Sequence, residues 1–194
     1  MNLVIVDFDR VLYRTDEMFQ ELLGRLEESG INSERFLRSY EASKSKYGYF
    51  DPNKLEGLEE SELDILRCVL ETFPYQDFLA EGAIEFLESL MRFATVIILS
   101  QGDEDVEFPD GNGYQSRKIR SCNLPSDRII VRRNKIPTIL ELYQEYRPEN
   151  FVVIDDQKYI LDNCPPRAIK IRIGNEAGCY SLKEARDYLA SVLG

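Results

Sequence analysis

The sequence predicts an α/β fold in which a doubly wound parallel sheet carries helices on both faces. Three apolar, β-branched runs predict buried strands at residues 3–6, 95–99 and 151–154. Each run is continuous rather than alternating, which is typical of a strand covered on both faces. Helical patterns separate the runs, and alternation of strands with helices predicts a parallel sheet.

Weaker patterns complete this alternation. Two further strands are predicted at 128–131 and 168–173. Amphipathic helices are predicted at 81–92, 135–146 and 182–193, because their apolar residues recur with helical spacing. A chain of 194 residues suffices for one domain, or for one domain that carries a smaller insert.

The segment 14–80 interrupts the alternation directly after the first strand. It contains helical patterns at 16–28, 33–46 and 59–73. A turn-rich aromatic connection separates the last two patterns. We therefore predict that residues 14–80 form an inserted, all-helical cap, and that residues 1–13 and 81–194 together form the α/β core.

Composition excludes several classes of function. The chain has 24 basic and 35 acidic residues, a net charge of −11, and no basic cluster. It is therefore not expected to bind nucleic acid or an anionic membrane, which require grouped Lys and Arg. The chain has no histidine. This excludes Ser-His and Cys-His nucleophilic catalysis and a His-ligated zinc site.

The sequence also predicts a cytoplasmic location. The N-terminal run MNLVIVDFDR is interrupted by acids, so it reads neither as a signal peptide nor as an anchor. No run approaches the roughly 18–20 apolar residues of a membrane helix. The four cysteines form no CxxC pair and no regular framework, and we interpret them as reduced thiols. Oligomeric state is not predicted.

Polar side chains follow each of the three best strands. Asp7 and Asp9 follow the first strand, Ser100 follows the second, and Asp155 and Asp156 follow the third. In open parallel sheets, ligands bind in the crevice beyond the carboxyl ends of the strands. If the three strands are neighbours, these five side chains therefore converge on one crevice.

Such a cluster of acids predicts a bound cation. Two unit charges about 4 Å apart repel by about 4 kcal/mol at an effective dielectric constant near 20. Either some acids are protonated or a cation lies among them. Oxygen ligands without histidine or thiolate suit Mg²⁺, which binds through one or two carboxylates and a substrate phosphate.

A phosphate held beside a carboxylate suggests attack by that carboxylate, which gives an aspartyl-phosphate. A second acid two residues along the chain is suited to protonate the leaving oxygen and then to activate water. Ser100, with the backbone amides of Gln101 and Gly102, is a candidate for holding the phosphoryl oxygens. One lysine is still needed to offset the negative charge.

Four motifs resemble those of the haloacid dehalogenase-like (HAD) hydrolases. Asp7–Leu12 (DFDRVL) resembles the first motif, and Leu99–Gly102 (LSQG) resembles the second. Lys135 falls where the third-motif lysine is expected, and Val152–Asp156 (VVIDD) is similar to the acidic fourth motif. The motifs occur in the family's order, and the helical insert lies where the family carries its commonest cap. The resemblance covers essentially the whole chain.

The resemblance implies a role for each matching residue. Asp7 is implied to be the nucleophile and a metal ligand, and Asp9 the general acid–base, with its backbone carbonyl on the metal. Asp156 is implied to bind Mg²⁺ directly, and Asp155 directly or through water. Side chains implied to bind the phosphoryl group are Ser100 and Lys135.

The resemblance further implies a Rossmann-like core and a Mg²⁺-dependent phosphatase acting on a small phosphorylated metabolite, with sugar phosphates and nucleotides as candidates. Asp9 favours the phosphatase branch, because the dehalogenase branch lacks that acid and the metal. Two alternatives stay open: a phosphomutase of the same family, and a catalytically weak binding protein that keeps the fold.

The chain departs from the family pattern at three places. Arg10 stands where many members have glycine, and it could reach the substrate, fold onto the cap or partly block the site. Lys135 is followed by Ile-Pro rather than directly by Pro, which leaves three other basic residues as substitutes: Arg132, Arg133 and Lys118. Residues 103–113 read as an acidic insertion, either a loop at the crevice rim or a solvated excursion.

Overall fold

A computed structural model describes residues 1–174 and 176–194, and in this part of the chain six strands form one sheet. The strands are β1 (Asn2–Val6), β2 (Thr95–Gln101), β3 (Val106–Glu107), β4 (Arg128–Arg132), β5 (Asn150–Asp155) and β6 (Ile169–Arg172). Their order is β3-β4-β2-β1-β5-β6. All neighbouring pairs are parallel except β3 with β4. The predicted α/β fold is confirmed, with β3 as an additional antiparallel edge strand.

The described residues form eight α-helices. They are α1 (Thr15–Glu28), α2 (Ser33–Tyr47), α3 (Glu60–Glu71), α4 (Ala83–Leu90), α5 (Tyr114–Ser121), α6 (Lys135–Tyr146), α7 (Lys158–Asp162) and α8 (Leu182–Leu193). Six of them match the predicted helices to within three residues at either end, whereas α5 and α7 were not predicted. None of the helices in the described ranges combines the length and apolar character needed to cross a membrane.

Both faces of the sheet are covered, which explains the continuous apolar runs. Val4 and Val6 of β1 join the buried cluster on one face, with residues of α4 and α8. Leu3 and Ile5 join the cluster on the opposite face, with residues of α6 and α7. Because successive side chains of a strand point to opposite faces, every buried position of β1, from Leu3 to Val6, must be apolar.

The register of β1 brings three strand ends together. Val6 pairs with Ile98 of β2 on one side and with Ile154 of β5 on the other. The next residue, Asp7, donates its backbone N–H to the carbonyl of Ile154 at 2.9 Å. The residues that follow these strands therefore lie at the same edge of the sheet.

The inserted segment folds as α1, α2, α3 and two short 3₁₀ turns at Pro52–Lys54 and Tyr75–Phe78. Its two ends meet again beside the sheet, where Ala80 donates its N–H to the carbonyl of Leu12 at 2.9 Å. The buried cluster on this face of the sheet continues into the segment through Leu22 and Phe36. The division into a core and a separate cap stays a prediction.

Candidate active site

A buried lysine bridges two of the strand-end acids. Asp7 follows β1, Asp155 ends β5, and Lys135 is the first residue of α6. The Lys135 Nζ lies 2.8 Å from Asp7 Oδ2 and 2.6 Å from Asp155 Oδ2. Each of the three residues is at most 3% exposed. The structure therefore brings Lys135 together with two of the predicted site acids.

Backbone groups fix both carboxylates. The amide of Phe8 donates to Asp7 Oδ1 at 2.7 Å, and the amide of Gln157 donates to Asp155 Oδ1 at 2.8 Å. Burial raises the pKa of Asp7 well above its ordinary value, and the Lys135 ammonium opposes this rise. Lys135 itself has a raised pKa, because the two carboxylates outweigh the effect of its burial. The lysine therefore stays charged.

Asp156, unlike Asp7 and Asp155, forms no ion pair with Lys135. It joins Asp7 and Asp155 in a group whose carboxylate oxygens lie within 4.8 Å of one another. Its Oδ1 is buried without a hydrogen-bond partner. Burial, followed by the charge of Asp155, raises the pKa of Asp156 to about 6. Three carboxylates against one ammonium leave two negative charges, so this oxygen-only group fits a divalent cation such as Mg²⁺.

Magnesium is expected to stabilise the folded protein. A ligand that binds only the folded state adds RT ln(1 + [L]/Kd), about 2.7 kcal/mol at 100 times Kd. Urea unfolding at pH 7.5 with and without Mg²⁺ measures this gain in the free energy of unfolding. Asp156→Asn should lose most of the gain. Asp162→Asn should keep it, because Asp162 is an exposed carboxylate paired with Lys158. Equal gains in both variants would exclude Asp156 as a ligand.

The stability of the metal-free protein should also depend on pH through Asp156. Its pKa of about 6 in the folded state exceeds the ordinary value of 3.8 for an aspartate, so between these values the folded state binds more protons than the unfolded state. The free energy of unfolding therefore falls as pH rises through this window. We expect the fall to be smaller in Asp156→Asn, as measured by urea unfolding at several pH values. Parallel pH curves for the two proteins would contradict the assignment.

Asp9 is held by a separate set of side chains. Lys118 Nζ and Thr15 Oγ1 donate to Asp9 Oδ1 at 2.6 and 2.7 Å, and Gln115 Nε2 donates to Asp9 Oδ2 at 2.6 Å. Burial opposes the ionisation of Asp9, but Lys118 and these hydrogen bonds lower its pKa below the ordinary value. The Asp9 side chain is not among the three carboxylates that could hold a metal ion. The contact between the backbone carbonyl of Asp9 and a metal stays a prediction.

Two of the residues that hold Asp9, Gln115 and Lys118, come from α5, a helix that the sequence pattern did not reveal. Asp103 accepts hydrogen bonds from the backbone amides of Tyr114 and Gln115 at 2.7 and 3.2 Å, and so caps α5 across the intervening loop. The interpretation of 103–113 as a rim loop or a solvated excursion is thus incomplete. Asp103 is 8% exposed and the segment contains β3. The sequence signal that could have revealed α5 was Asp103 as a capping acid, followed by the glycine-rich turn at 110–113 directly before the helix.

Removing the Lys118 charge should destabilise the fold. Lys118→Met leaves the Asp9 carboxylate without its cation, and breaking a buried pair costs roughly 3–5 kcal/mol. We expect the lower end, because the Asp9 side chain is 29% exposed. Lys118 lowers the pKa of Asp9, so the deficit should shrink as pH falls towards 4 and Asp9 is protonated. Urea unfolding at pH 7.5 and pH 4.5 measures both effects.

Arg117→Met is the matched control for this prediction, because Arg117 is an exposed basic residue of the same helix. Asp9→Asn combined with Lys118→Met should be less destabilised than Lys118→Met alone, since no unpaired carboxylate remains. A Lys118→Met variant as stable as Arg117→Met would show that the ion pair contributes nothing.

The predicted phosphate-binding residues of the second motif lie beside the acids. Ser100 is fully buried, and its Oγ accepts a hydrogen bond from Gln115 Nε2 at 2.7 Å. The Gln101 side chain donates to the carbonyl of Arg133 at 2.9 Å. A Cβ on Gly102 would lie 2.6 Å from a Val131 methyl group, so only glycine fits here. The roles of Ser100, Gln101 and Lys135 in phosphate binding stay predictions.

Arg10 adopts a backbone conformation that favours glycine. Its φ angle is 59°, in the left-handed region, which explains why a family motif would place glycine there. Its N–H donates to the carbonyl of Tyr13 at 2.9 Å and to Thr15 Oγ1 at 3.1 Å. Its guanidinium pairs with Asp16 of α1 at 2.7 Å. Of the three placements considered, the structure shows Arg10 folded onto the helical insert.

A cavity of about 290 Å³ opens over this site. Asp7, Asp9, Lys135 and Asp156 line its floor. Side chains of α1 and α2 and of the connection after α2 line the opposite side. The carboxyl ends of the strands and the helical insert therefore enclose one binding space that contains the charged residues.

The sheet order, the acids at the strand ends and the helical insert together define the HAD-like α/β fold. Several solved structures share it. A protein of Burkholderia xenovorans, described as a haloacid dehalogenase-like hydrolase, is 22% identical with a TM-score of 0.74, over 88% of this chain and 83% of that chain. The resemblance expected from the motifs is confirmed at the level of the fold.

Two further structures show how varied the proteins with this fold are. A protein of Thermotoga maritima, described as a beta-phosphoglucomutase, is 18% identical with a TM-score of 0.66 over 100% of both chains. An L-2-haloacid dehalogenase is 12% identical with a TM-score of 0.64, over 97% of this chain and 99% of that chain. No protein-family model matches the sequence, and no curated protein matches it.

Proposed function

We propose that this chain is a Mg²⁺-dependent phosphatase that hydrolyses a small phosphomonoester through an aspartyl-phosphate on Asp7. The observation that carries the proposal is the charge balance of the site. Lys135 compensates one of the three negative charges, and Asp156 has a buried oxygen without a hydrogen-bond partner. Such a group is costly unless a divalent cation binds to it.

Each residue of the site has its own role in the proposed reaction. The Asp7 carboxylate attacks phosphorus, the bond to the leaving oxygen breaks, and Lys135 offsets charge beside the nucleophile. Asp7, Asp155 and Asp156 would hold the Mg²⁺, which when bound neutralises charge on the phosphoryl oxygens. Ser100 and the backbone amides near Gln101 assist in holding the phosphoryl group.

Asp9 serves the proton transfers. It delivers a proton to the leaving oxygen in the first step and takes one from the attacking water in the second. Its carboxylate lines the same cavity as Asp7. Lys118, Gln115 and Thr15 hold it in one orientation. The lowered pKa of Asp9 favours the deprotonated form that the second step requires.

The same residues favour a phosphatase over a dehalogenase. The motifs resemble a family whose dehalogenase branch lacks the acid at position 9 and the metal, whereas this chain has Asp9 and an acid group suited to a cation. We also infer a cytoplasmic protein, because all four cysteines are free thiols and disulfides are rare in that compartment. Residues 14–80 act as the cap over the site.

Release of phosphate by the purified protein tests the proposal. Phosphomonoesters, including sugar phosphates, nucleotides and p-nitrophenyl phosphate, are assayed with Mg²⁺ and again with EDTA. Halide release from 2-haloacids is assayed in parallel. We expect Mg²⁺-dependent phosphate release and no halide. Isomerisation of a sugar phosphate with little free phosphate would indicate a mutase instead. Inactivity on every substrate would favour a binding protein.

A further inference from the structure

One wall of the cavity above the acids consists of aromatic rings that contact one another in tilted and edge-to-face pairs. Phe19 and Tyr40 have ring centroids 4.5 Å apart, Tyr40 and Phe50 are 5.1 Å apart, and Phe50 and Tyr114 are 5.0 Å apart. All four residues line the cavity that contains Asp7. We call these four residues the aromatic wall. It runs without a break from α1 to α5.

The cavity therefore has two chemically different sides. The floor carries the charged groups of the catalytic residues. The opposite side is apolar along the aromatic wall, which Met18 and Leu22 of α1 extend, and it also carries Asp16 of α1 as an exposed acid. The charged residues of α2 that line the cavity, Glu41 and Lys44, are exposed, and the Lys44 ammonium lies 5.2 Å from the ring of Tyr40. A bound phosphate on the floor would place its organic group against the wall.

The volume of the cavity limits that organic group. The cavity measures about 290 Å³. An apolar cavity of roughly 150 Å³ holds benzene, and pockets for drug-sized ligands run from roughly 300 to 1,000 Å³. The space therefore suits a phosphate with one ring and is small for a nucleotide, which adds a ribose and a base.

We propose, building on the phosphatase function above, that the substrate is an aryl phosphate: a phosphomonoester whose organic part is a single aromatic ring. Ring faces and edges of the wall offer offset and edge-to-face contacts to such a group. Sugar hydroxyls would lose water against these ring faces, and the wall offers them only the two tyrosine hydroxyls as hydrogen-bond partners, which disfavours a sugar phosphate.

The reaction is balanced with water alone. The bond between phosphorus and the ring oxygen breaks as the Asp7 carboxylate takes the phosphoryl group, and Asp9 gives its proton to the ring oxygen, so that the phenol leaves. The water of the second step returns a proton to Asp9. Water then hydrolyses the aspartyl-phosphate and releases phosphate. No oxidant, reductant or further substrate is needed.

Binding to a variant that does not turn over tests the substrate class separately from the activity. Titration calorimetry of Asp7→Asn with Mg²⁺ compares phenyl phosphate, glucose 6-phosphate and adenosine 5′-monophosphate. We expect phenyl phosphate to bind at least tenfold more tightly than glucose 6-phosphate. Adding Tyr40→Leu or Phe50→Leu should each weaken phenyl phosphate at least fivefold and leave glucose 6-phosphate little changed.

Phe93→Leu is the matched control, because Phe93 is a 40% exposed aromatic residue outside the cavity lining, and its loss should change neither affinity. Circular dichroism and urea unfolding establish that each variant is folded. Two independent wall variants are used so that the test remains valid if one of them does not fold. Tighter binding of glucose 6-phosphate would overturn the aromatic inference. Tighter binding of the nucleotide would overturn the limit to a single ring.

The two proposals fail in different ways. If the wild type releases phosphate from sugar phosphates with a higher kcat/KM than from phenyl phosphate, the phosphatase function stands and the aryl inference is wrong. If Asp7→Asn prefers phenyl phosphate but the wild type hydrolyses no ester, the ligand class stands and the proposed function is wrong.

Discussion

Replacing Asp7 by asparagine is expected to lower Mg²⁺-dependent phosphate release by roughly 10⁴- to 10⁶-fold, the range for loss of a covalent nucleophile. A tenfold loss corresponds to about 1.4 kcal/mol of barrier, so this is about 5.5–8 kcal/mol. The amide keeps the shape of the side chain and cannot take up the phosphoryl group. Steady-state assays with p-nitrophenyl phosphate and Mg²⁺ measure the change in kcat.

Asp162→Asn is the control for this loss, because it neutralises an exposed carboxylate of α7 that lies outside the cavity lining. Its rate should equal that of the wild type. Burial raises the pKa of Asp7, so a neutral amide at position 7 should be tolerated by the fold, which urea unfolding checks. If Asp7→Asn and the wild type hydrolyse the ester equally fast, Asp7 is not the nucleophile.

Lys135→Met is expected to destabilise the fold more than Lys118→Met, because both of its acid partners are almost fully buried. Without the ammonium, Asp7 and Asp155 remain buried with no cation between them. Removing one partner of a buried ion pair costs roughly 3–5 kcal/mol. Urea unfolding of the metal-free protein at pH 7.5 measures this cost. Phosphate release should fall as well, because the nucleophile loses its neighbouring positive charge.

Magnesium should restore part of the stability of Lys135→Met, since a divalent cation compensates the same acids. Lys135 lowers the pKa of Asp7, so its removal raises that pKa further and the deficit should shrink at low pH. Lys158→Met is the control, because Lys158 pairs with Asp162 on the surface and its side chain is 73% exposed. Equal stabilities of the two variants would contradict a structural role for Lys135.

The two lysines of the site show why local sequence predicts poorly which charged residues will pair. Lys135 was predicted from a loose motif, and Lys118 was considered only as its substitute. In the structure each neutralises a different acid: Lys135 serves Asp7 and Asp155, and Lys118 serves Asp9. Which base meets which acid depends on where α5 and α6 pack, and sequence spacing does not contain that information.

Helix α5 was missed for a related reason. Its buried residues include Gln115, Ser116 and Lys118, so the face that it turns inward is largely polar. Hydrophobic periodicity identifies helices that bury apolar side chains and does not report one that buries hydrogen-bonding groups. That face is favourable to bury because Asp9 and Ser100, at the ends of β1 and β2, accept its hydrogen bonds.

The sequence by itself determined the α/β fold, most of its helices and strands, and the positions of the acids at the strand ends. These features follow from local patterns, because a strand covered on both faces must be apolar throughout and its polar continuation must lie at the sheet edge. The tertiary structure decided the pairing of each acid with its lysine, the unpartnered oxygen of Asp156 and the aromatic wall. Those depend on contacts between residues far apart in the chain, where distance and burial set the charge balance.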